Sequence, residues 1–146
     1  MTCTFFGHAN TPDSIKDGLK KEIMRLIDEQ NIKKFYVGNN GSFDFYVQNI
    51  LEKITKARKD VQYNIVLSYI NEHALNNCQN ATVFPEGLEN ALPKFAIAKR
   101  NDWLIENADL VITYTEHKLS NCYKWVQKAM KKRLPVINLA EGTIAF

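Results

Sequence analysis

The chain has few cysteines and histidines, and this scarcity argues against several kinds of site. Cys3, Cys78 and Cys122 are odd in number and far apart, so they fit neither a disulfide framework nor a zinc knuckle with paired spacing. The three histidines follow no spacing that is typical of metal ligands. The sequence therefore predicts free thiols, with no dedicated metal and no cofactor.

The sequence also lacks a long hydrophobic run. Its 146 residues are 45% hydrophobic and 24% charged, as in ordinary globular proteins, and no stretch is long enough to cross a bilayer. Residues 1–6 carry no basic segment followed by an apolar one, so we expect a first strand there and not a signal peptide. These features predict one soluble, cytoplasmic domain spanning residues 1–146, with no membrane partner.

Neither positive nor negative charges are in large excess. The formal net charge is +3, which is too small to indicate a nucleic-acid partner. The densest basic run, at residues 128–133, closes a predicted helix, where cations complement the helix dipole. We expect no nucleic-acid binding, although this charge is compatible with a weak attraction for anionic ligands.

The sequence does contain a regular alternation of strands and helices. Short β-rich runs occur at residues 2–6, 35–37, 63–69, 110–114 and 135–139, and apolar residues recur at helical spacing in each of the four intervening segments. Thr11 and Pro12 are suited to begin the first helix, and Ser120 is suited to cap the last. The alternation predicts the α/β class: a single Rossmann-like three-layer domain with a mostly parallel five-stranded sheet and helices on both faces.

Sheets of this kind bind ligands outside the carboxyl ends of their strands. Gly7 and His8 end the first strand, which is central in such sheets, so His8 is either a ligand contact or a structural histidine. Thr113, Tyr114 and Thr115 end the fourth strand, where side chains can contact a ribose or a base. Both segments are therefore candidate parts of a binding site.

The turn between the second strand and the second helix reads GNNGSFD, from residue 38 to residue 44. Its glycines allow the backbone to approach a phosphate, and the first N–H groups of the helix can point at an anion. The turn also fits a plain strand-to-helix connection, because it matches neither GxGxxG nor GxxxxGK[ST], and both interpretations stay open. The candidate ligand contacts in this turn are Gly38, Asn39, Asn40, Gly41, Ser42 and Asp44.

Three further residues have side chains of the types used in ligand binding or in catalysis. Arg100 on the third helix suits a bidentate phosphate contact, or it extends along the helix surface. Glu86 lies in a long loop and is either a ligand contact or a solvated carboxylate. Cys122 follows His117 closely, but the sequence offers no third group to orient the pair, so we do not expect nucleophilic catalysis.

Four segments of the chain resemble the YpsA-like family of the SLOG superfamily, in the same order and almost from end to end. They are FFGHANTP (5–12), FYVGNNGSFD (35–44), FPEGLENALPKFAIAKRNDWLIENADLVITY (84–114) and LPVINLA (134–140). SLOG proteins are Rossmann-like domains related to DprA and to the Lonely Guy phosphoribohydrolases. The resemblance implies a pocket for a nucleotide or an ADP-ribose-like ligand, and a homo-oligomer.

The Lonely Guy enzymes carry the motif PGGxGTxxE, whose glutamate serves hydrolysis. In this chain Asp44 lies one place early and Phe45 takes the place of that glutamate. We therefore expect non-catalytic binding of a nucleotide-derived small molecule, such as a cyclic nucleotide or an ADP-ribose-type signal. Sensing or sequestration of that signal would suit a counter-defence protein of a phage or mobile element.

Two other functions remain open at this point. A phosphoribohydrolase or N-glycosidase would use Asp44 or Glu86 to help the base leave, with His8 nearby. A protein-interaction adaptor would bind no metabolite at all. Released base distinguishes the enzyme from the binder, and a melting temperature that no metabolite raises would indicate the adaptor.

Overall fold

The computed structural model describes residues 1–68, 82, 83, 85 and 93–140. Within these residues, no helix combines the length and the apolar character needed to cross a membrane. The elements follow one another as β1 (Thr2–Gly7), α1 (Lys16–Glu29), β2 (Lys34–Val37), α2 (Gly41–Ala57), β3 (Gln62–Val66), β4 (Thr82–Val83), α3 (Pro93–Glu106), β5 (Leu110–Tyr114), α4 (Asn121–Lys131) and β6 (Val136–Asn138).

The strands form one sheet in the order β4-β3-β2-β1-β5-β6, and every neighbouring pair is parallel. The predicted α/β class and its five parallel strands are confirmed, and the two-residue strand β4 extends the sheet at one edge. From β1 the chain builds outward to β4, and it then returns to the other side of β1 to add β5 and β6. The winding therefore reverses between β1 and β5, where a Rossmann-like sheet opens its crevice.

Helices cover both faces of the sheet and give two separate apolar cores. On one face, α1 and α2 pack against side chains such as Phe5, Phe35 and Ile112. On the other face, α3 and α4 pack against Phe6 and Val111, together with the other members of a smaller cluster. Phe5 and Phe6 are neighbours on β1, and they face opposite layers because successive strand residues alternate. This gives the predicted three-layer arrangement.

Two helix beginnings differ from the prediction. Pro12 precedes a 3-10 turn over Asp13–Ile15, and α1 starts only at Lys16, so Thr11 is not its N-cap. The Thr11 hydroxyl donates instead to the carbonyl oxygen of His8 at 2.7 Å. Ser120 does occupy the N-cap position of α4, but its hydroxyl makes no capping hydrogen bond. In both places the side chain bonds to a nearby loop carbonyl, which is a common alternative to capping.

Candidate functional site

A cavity of about 490 Å³ lies at the carboxyl ends of β1 and β2, against α3 and the first turn of α4. This volume is within the usual range for small-molecule sites, and the location is where the winding of the sheet reverses. Its wall has a polar part and an apolar part. The polar side chains are His8, Asn40, Asp44, Arg100, Asn101 and Asn121, and the apolar part includes Phe5, Phe6, Ile97, Leu104 and Trp125, with Cys122 beside them.

The loop after β1 is fastened to the first turn of α2. The N–H of Ser42 donates to the carbonyl oxygen of Ala9 at 2.9 Å. The Ser42 hydroxyl accepts from the N–H of Thr11 at 2.7 Å and donates to the Thr11 carbonyl at 3.2 Å. Ser42 therefore joins two loops of the site and does not cap α2, which begins at Gly41.

Three glycines allow the close approaches that shape the cavity. A β-carbon added at Gly7 would lie 2.2 Å from the ring of Phe43. At Gly38 it would lie 2.7 Å from Nη1 of Arg100 and 2.8 Å from Oδ2 of Asp44. Gly41 alone among them needs a positive φ, of 88°. Gly41 therefore supplies a backbone conformation that the turn requires, whereas Gly38 makes room for the side chains of Arg100 and Asp44.

The Arg100 guanidinium is buried and bonded to four acceptors in the protein. Nε donates to Oδ1 of Asn101 at 2.9 Å, and Nη2 donates to Oδ1 of Asn40 at 3.0 Å. Nη1 donates to Oδ1 of Asn39 at 3.3 Å and to the carbonyl oxygen of Val66 at 3.1 Å. Four of its five N–H groups are therefore in use. Arg100 holds the turn after β2 against the end of β3, and it has no free pair of donors for a bidentate phosphate contact.

This guanidinium also fixes the orientation of three asparagine amides. Arginine has donors and no acceptor, so each amide must turn its oxygen toward Arg100 and its NH₂ group away. Asn40 and Asn101 line the cavity. Because no hydrogen bond from the described residues reaches either NH₂ group, both remain available as donors.

Asp44 is buried in the first turn of α2, with 8% of its surface exposed. Its Oδ2 accepts the N–H of Asn40 at 3.0 Å, while no hydrogen bond from the described residues reaches Oδ1. Burial raises the pKa of Asp44 from 3.8 to about 6, although the Arg100 charge and the Asn40 N–H oppose this rise. The cavity wall thus offers one acceptor, Oδ1 of Asp44, and two donors, the NH₂ groups of Asn40 and Asn101, that no other described residue uses.

His8 lies at the end of β1, and both of its ring nitrogens have partners. Nε2 accepts the N–H of Glu116 at 2.9 Å, and Nδ1 lies 3.4 Å from Sγ of Cys122. Because Nε2 acts as an acceptor, the neutral ring carries its proton on Nδ1. Burial lowers the pKa of His8 below 6.5, although the carboxylate of Glu116 opposes this change. The lowered pKa favours the neutral ring.

The residues at the end of β5 lie next to the cavity and bond to one another and to neighbouring segments. The hydroxyls of Thr113 and Thr115 are buried and lie 2.6 Å apart, and the N–H of Thr115 donates to Oδ1 of Asn138 at 3.1 Å. The Tyr114 hydroxyl donates to Oε1 of Glu116, and this hydrogen bond raises the pKa of Tyr114 to about 12. None of these three residues belongs to the cavity wall, so they connect β5 to its neighbours.

The predicted residues therefore fall into three groups. Those that line the cavity are Gly7, His8, Gly38, Asn40, Gly41, Asp44 and Arg100. Those that lie next to it without lining it are Asn39, Ser42, Thr113, Tyr114 and Thr115. Glu86 lies outside the described residues.

Two features of the site were not predicted. Asn101, Asn121 and Cys122 line the cavity, although none of them was among the candidate ligand contacts. Asn101 follows Arg100 directly, and an Arg-Asn pair on the helix beside the crevice was the only available signal. In addition, the N–H groups of Asn40 and Ser42 are bonded within the protein, so these two cannot hold a phosphate.

Among the described residues, no group of three His, Cys, Asp or Glu side chains is arranged to hold a metal ion. A comparison with models of known protein families finds no match to this chain, and a comparison with curated proteins finds none either.

Proposed function

We propose that this protein binds a nucleotide-derived small molecule in the 490 Å³ cavity and does not convert it. One observation supports this most strongly. The cavity lies where the winding of the sheet reverses, and its wall combines polar groups that no other described residue uses with aromatic side chains. Cyclic nucleotides and ADP-ribose derivatives are the expected ligands, and the resemblance to SLOG proteins favours the same class. Sequestration of such a signal is the biological role that we infer.

The polar wall suits a ribose. The free 2′-hydroxyl of a ribose, which a 3′,5′-cyclic nucleotide keeps, both donates and accepts, so it complements a carboxylate oxygen and an amide NH₂ group. Oδ1 of Asp44 supplies that acceptor, and the NH₂ groups of Asn40 and Asn101 supply donors. A buried carboxylate that is already held in place loses little entropy when it binds.

The apolar part of the wall suits a base. Phe6 and Trp125 are more than nine-tenths buried in the free protein, yet both contribute to the cavity surface. Aromatic rings favour stacked or edge contacts with another ring. A ligand with its ribose at Asp44 can therefore place its base toward α4.

Calorimetric titration with AMP, 3′,5′-cyclic AMP, NAD and ADP-ribose tests this proposal. We expect at least one of them to bind and to raise the melting temperature. Asp44→Asn should weaken binding by about 1–3 kcal/mol because a ligand hydroxyl loses its charged acceptor. Asp102→Asn is the matched control, since Asp102 is a half-exposed α3 carboxylate bonded to Lys128 and should leave affinity unchanged. Binding by none of the four compounds would count against a nucleotide ligand.

One observation favours a second candidate, an N-glycosidase. With a pKa of about 6, part of the Asp44 population is protonated near neutral pH and can donate a proton to a departing base. Incubation with AMP and NAD, followed by chromatography for adenine and nicotinamide, separates the two functions. Our proposal expects no released base, whereas release that disappears in Asp44→Asn would establish the enzyme.

A further inference from the structure

Two described cysteines lie in opposite environments. Cys3 is on β1 with no exposed surface, and burial raises the pKa of its thiol. Cys122 is the second residue of α4, retains 7% of its exposed surface and lines the cavity. A molecule that enters the cavity therefore meets Cys122, while Cys3 is sealed inside the sheet.

Polar groups surround the sulfur of Cys122, and the donor role of the His8 ring among them is fixed by its other contact. Nδ1 of His8 lies 3.4 Å from Sγ, and it carries the ring proton because Nε2 accepts the N–H of Glu116. The hydroxyl of Thr115 also lies 3.4 Å from Sγ. The Ser120 hydroxyl, at 3.5 Å, already donates to the carbonyl of His117, so it accepts a hydrogen bond from the thiol. Donors that point at a sulfur stabilise negative charge on it.

A separate observation indicates that this cavity is open to a polar molecule. Asp44 and Asn101 are each more than nine-tenths buried and line the same cavity as Cys122. No hydrogen bond from the described residues reaches Oδ1 of Asp44 or the NH₂ group of Asn101. Neither of these two atoms is fully enclosed, since among the described side chains it is Oγ of Ser68 that is both buried and without a partner. Both atoms are therefore open to the cavity, and a polar molecule can reach the wall that also contains the thiol.

We propose that Cys122 is a covalent modification site, a thiol that reacts with soft carbon electrophiles inside the cavity and is activated by the proton on Nδ1 of His8. With an alkyl iodide, a bond forms between Sγ and the carbon while the carbon–iodine bond breaks. Iodide leaves with the bonding electrons, and the thiol proton passes to water. The proposal does not depend on nucleotide binding, because the thiol and its neighbours are present in the free protein.

Labelling of the intact folded protein with iodoacetamide tests access to the thiol. Peptide mapping by mass spectrometry separates Cys122 from Cys3 and Cys78. We expect Cys122 to be alkylated at least about ten times faster than Cys3, which should react only after denaturation. Equal rates at Cys122 and Cys3 in the folded protein would overturn the proposal.

The variant His8→Ala tests activation. Loss of the imidazole widens the cavity mouth, so a change in access alone would accelerate labelling of Cys122. We expect the opposite, a rate about three- to tenfold lower, because the sulfur loses its donor. His117→Ala is the matched control, since it removes an exposed imidazole 6.0 Å from the ring of His8 and should leave the rate unchanged.

Each result has one interpretation. A slower reaction in His8→Ala with an unchanged melting curve supports activation by His8, and an equal or faster reaction overturns it. Should His8→Ala fail to fold, His8→Phe removes the same Nδ1 donor while an aromatic ring keeps its place, and the same criterion applies. Protection of Cys122 by ADP-ribose would link this thiol to the proposed ligand, whereas fast labelling without protection would leave the thiol site intact and count against nucleotide binding.

Discussion

Burial and a neighbouring charge have opposite effects on the pKa of Asp44. The Arg100 charge favours the ionised carboxylate, yet burial has the larger effect and leaves the pKa at about 6. The folded state therefore binds a proton more tightly than the unfolded state, in which the pKa is 3.8. This difference makes the stability of the fold dependent on pH.

We predict that the free energy of unfolding contains a contribution from Asp44 that is fully present below pH 3.8 and is lost as the pH rises through about 6. A shift of this size corresponds to about 3 kcal/mol. Urea denaturation between pH 4 and 7 measures it as the difference between the protein and Asp44→Asn, whose amide cannot titrate. Parallel pH profiles for the two proteins would assign the dependence to other groups.

At the residue scale, the sequence identified members of the site better than their roles. Arg100 and Asp44 were both selected from their positions near the expected crevice. Their partners were not predictable, because the four acceptors of Arg100 come from the turn after β2, the end of β3 and α3 itself. Sequence spacing within one element carries no information about contacts between elements.

At the scale of elements, periodicity and turn residues located most boundaries. The predicted strand at residues 110–114 coincides with β5, since five consecutive apolar or β-branched residues are buried on both faces there. The predicted strand at residues 63–69 ends early, at Val66, with β3 beginning at Gln62. The two-residue strand β4 was missed because two residues are too few to show a period.

The start of α2 provides a prediction with an internal control. Gly41 has a φ of 88°, and an added β-carbon would lie 2.6 Å from the Cα of Ala9. Gly18 lies in α1 with open space around it. We expect Gly41→Ala to lower the free energy of unfolding by about 2 kcal/mol or more. Gly18→Ala should raise it by about 0.5–1 kcal/mol, because alanine favours a helix.

Thermal unfolding of the two variants gives the comparison, at ~2–4 °C per kcal/mol for a chain near this size. The Gly41→Ala melting temperature should fall and that of Gly18→Ala should rise. If both variants moved in the same direction, the positive φ of Gly41 and its contact with Ala9 would not govern the turn. The paired design separates the turn from the general effect of replacing glycine.

At the scale of the whole molecule, the alternation of elements was sufficient to predict the parallel sheet and the place of its crevice. Right-handed crossovers and short connections leave few arrangements for five alternating strands, and the observed order is one of them. The chemistry of the crevice was less predictable, because the wall formed by α3 depends on how that helix packs. Arg100 illustrates this, since its long side chain crosses from α3 to two other elements.

Arg100 joins three parts of the molecule, and its removal is our last prediction. Arg100→Ala removes a charged donor from four buried or half-buried acceptors, and it leaves Asp44 without the neighbouring positive charge. We expect a loss of about 3–5 kcal/mol in the free energy of unfolding, as when one partner of a buried charge pair is removed. Arg100→Lys should recover little of this loss, because an ammonium group has three donors and cannot reproduce the planar geometry.

Lys99→Ala, at the exposed neighbouring position on α3, should change stability by less than about 0.5 kcal/mol. Urea denaturation of the three variants at one pH measures these differences, and an Arg100→Ala variant as stable as Lys99→Ala would show that the guanidinium is not needed to hold the turn after β2 in place.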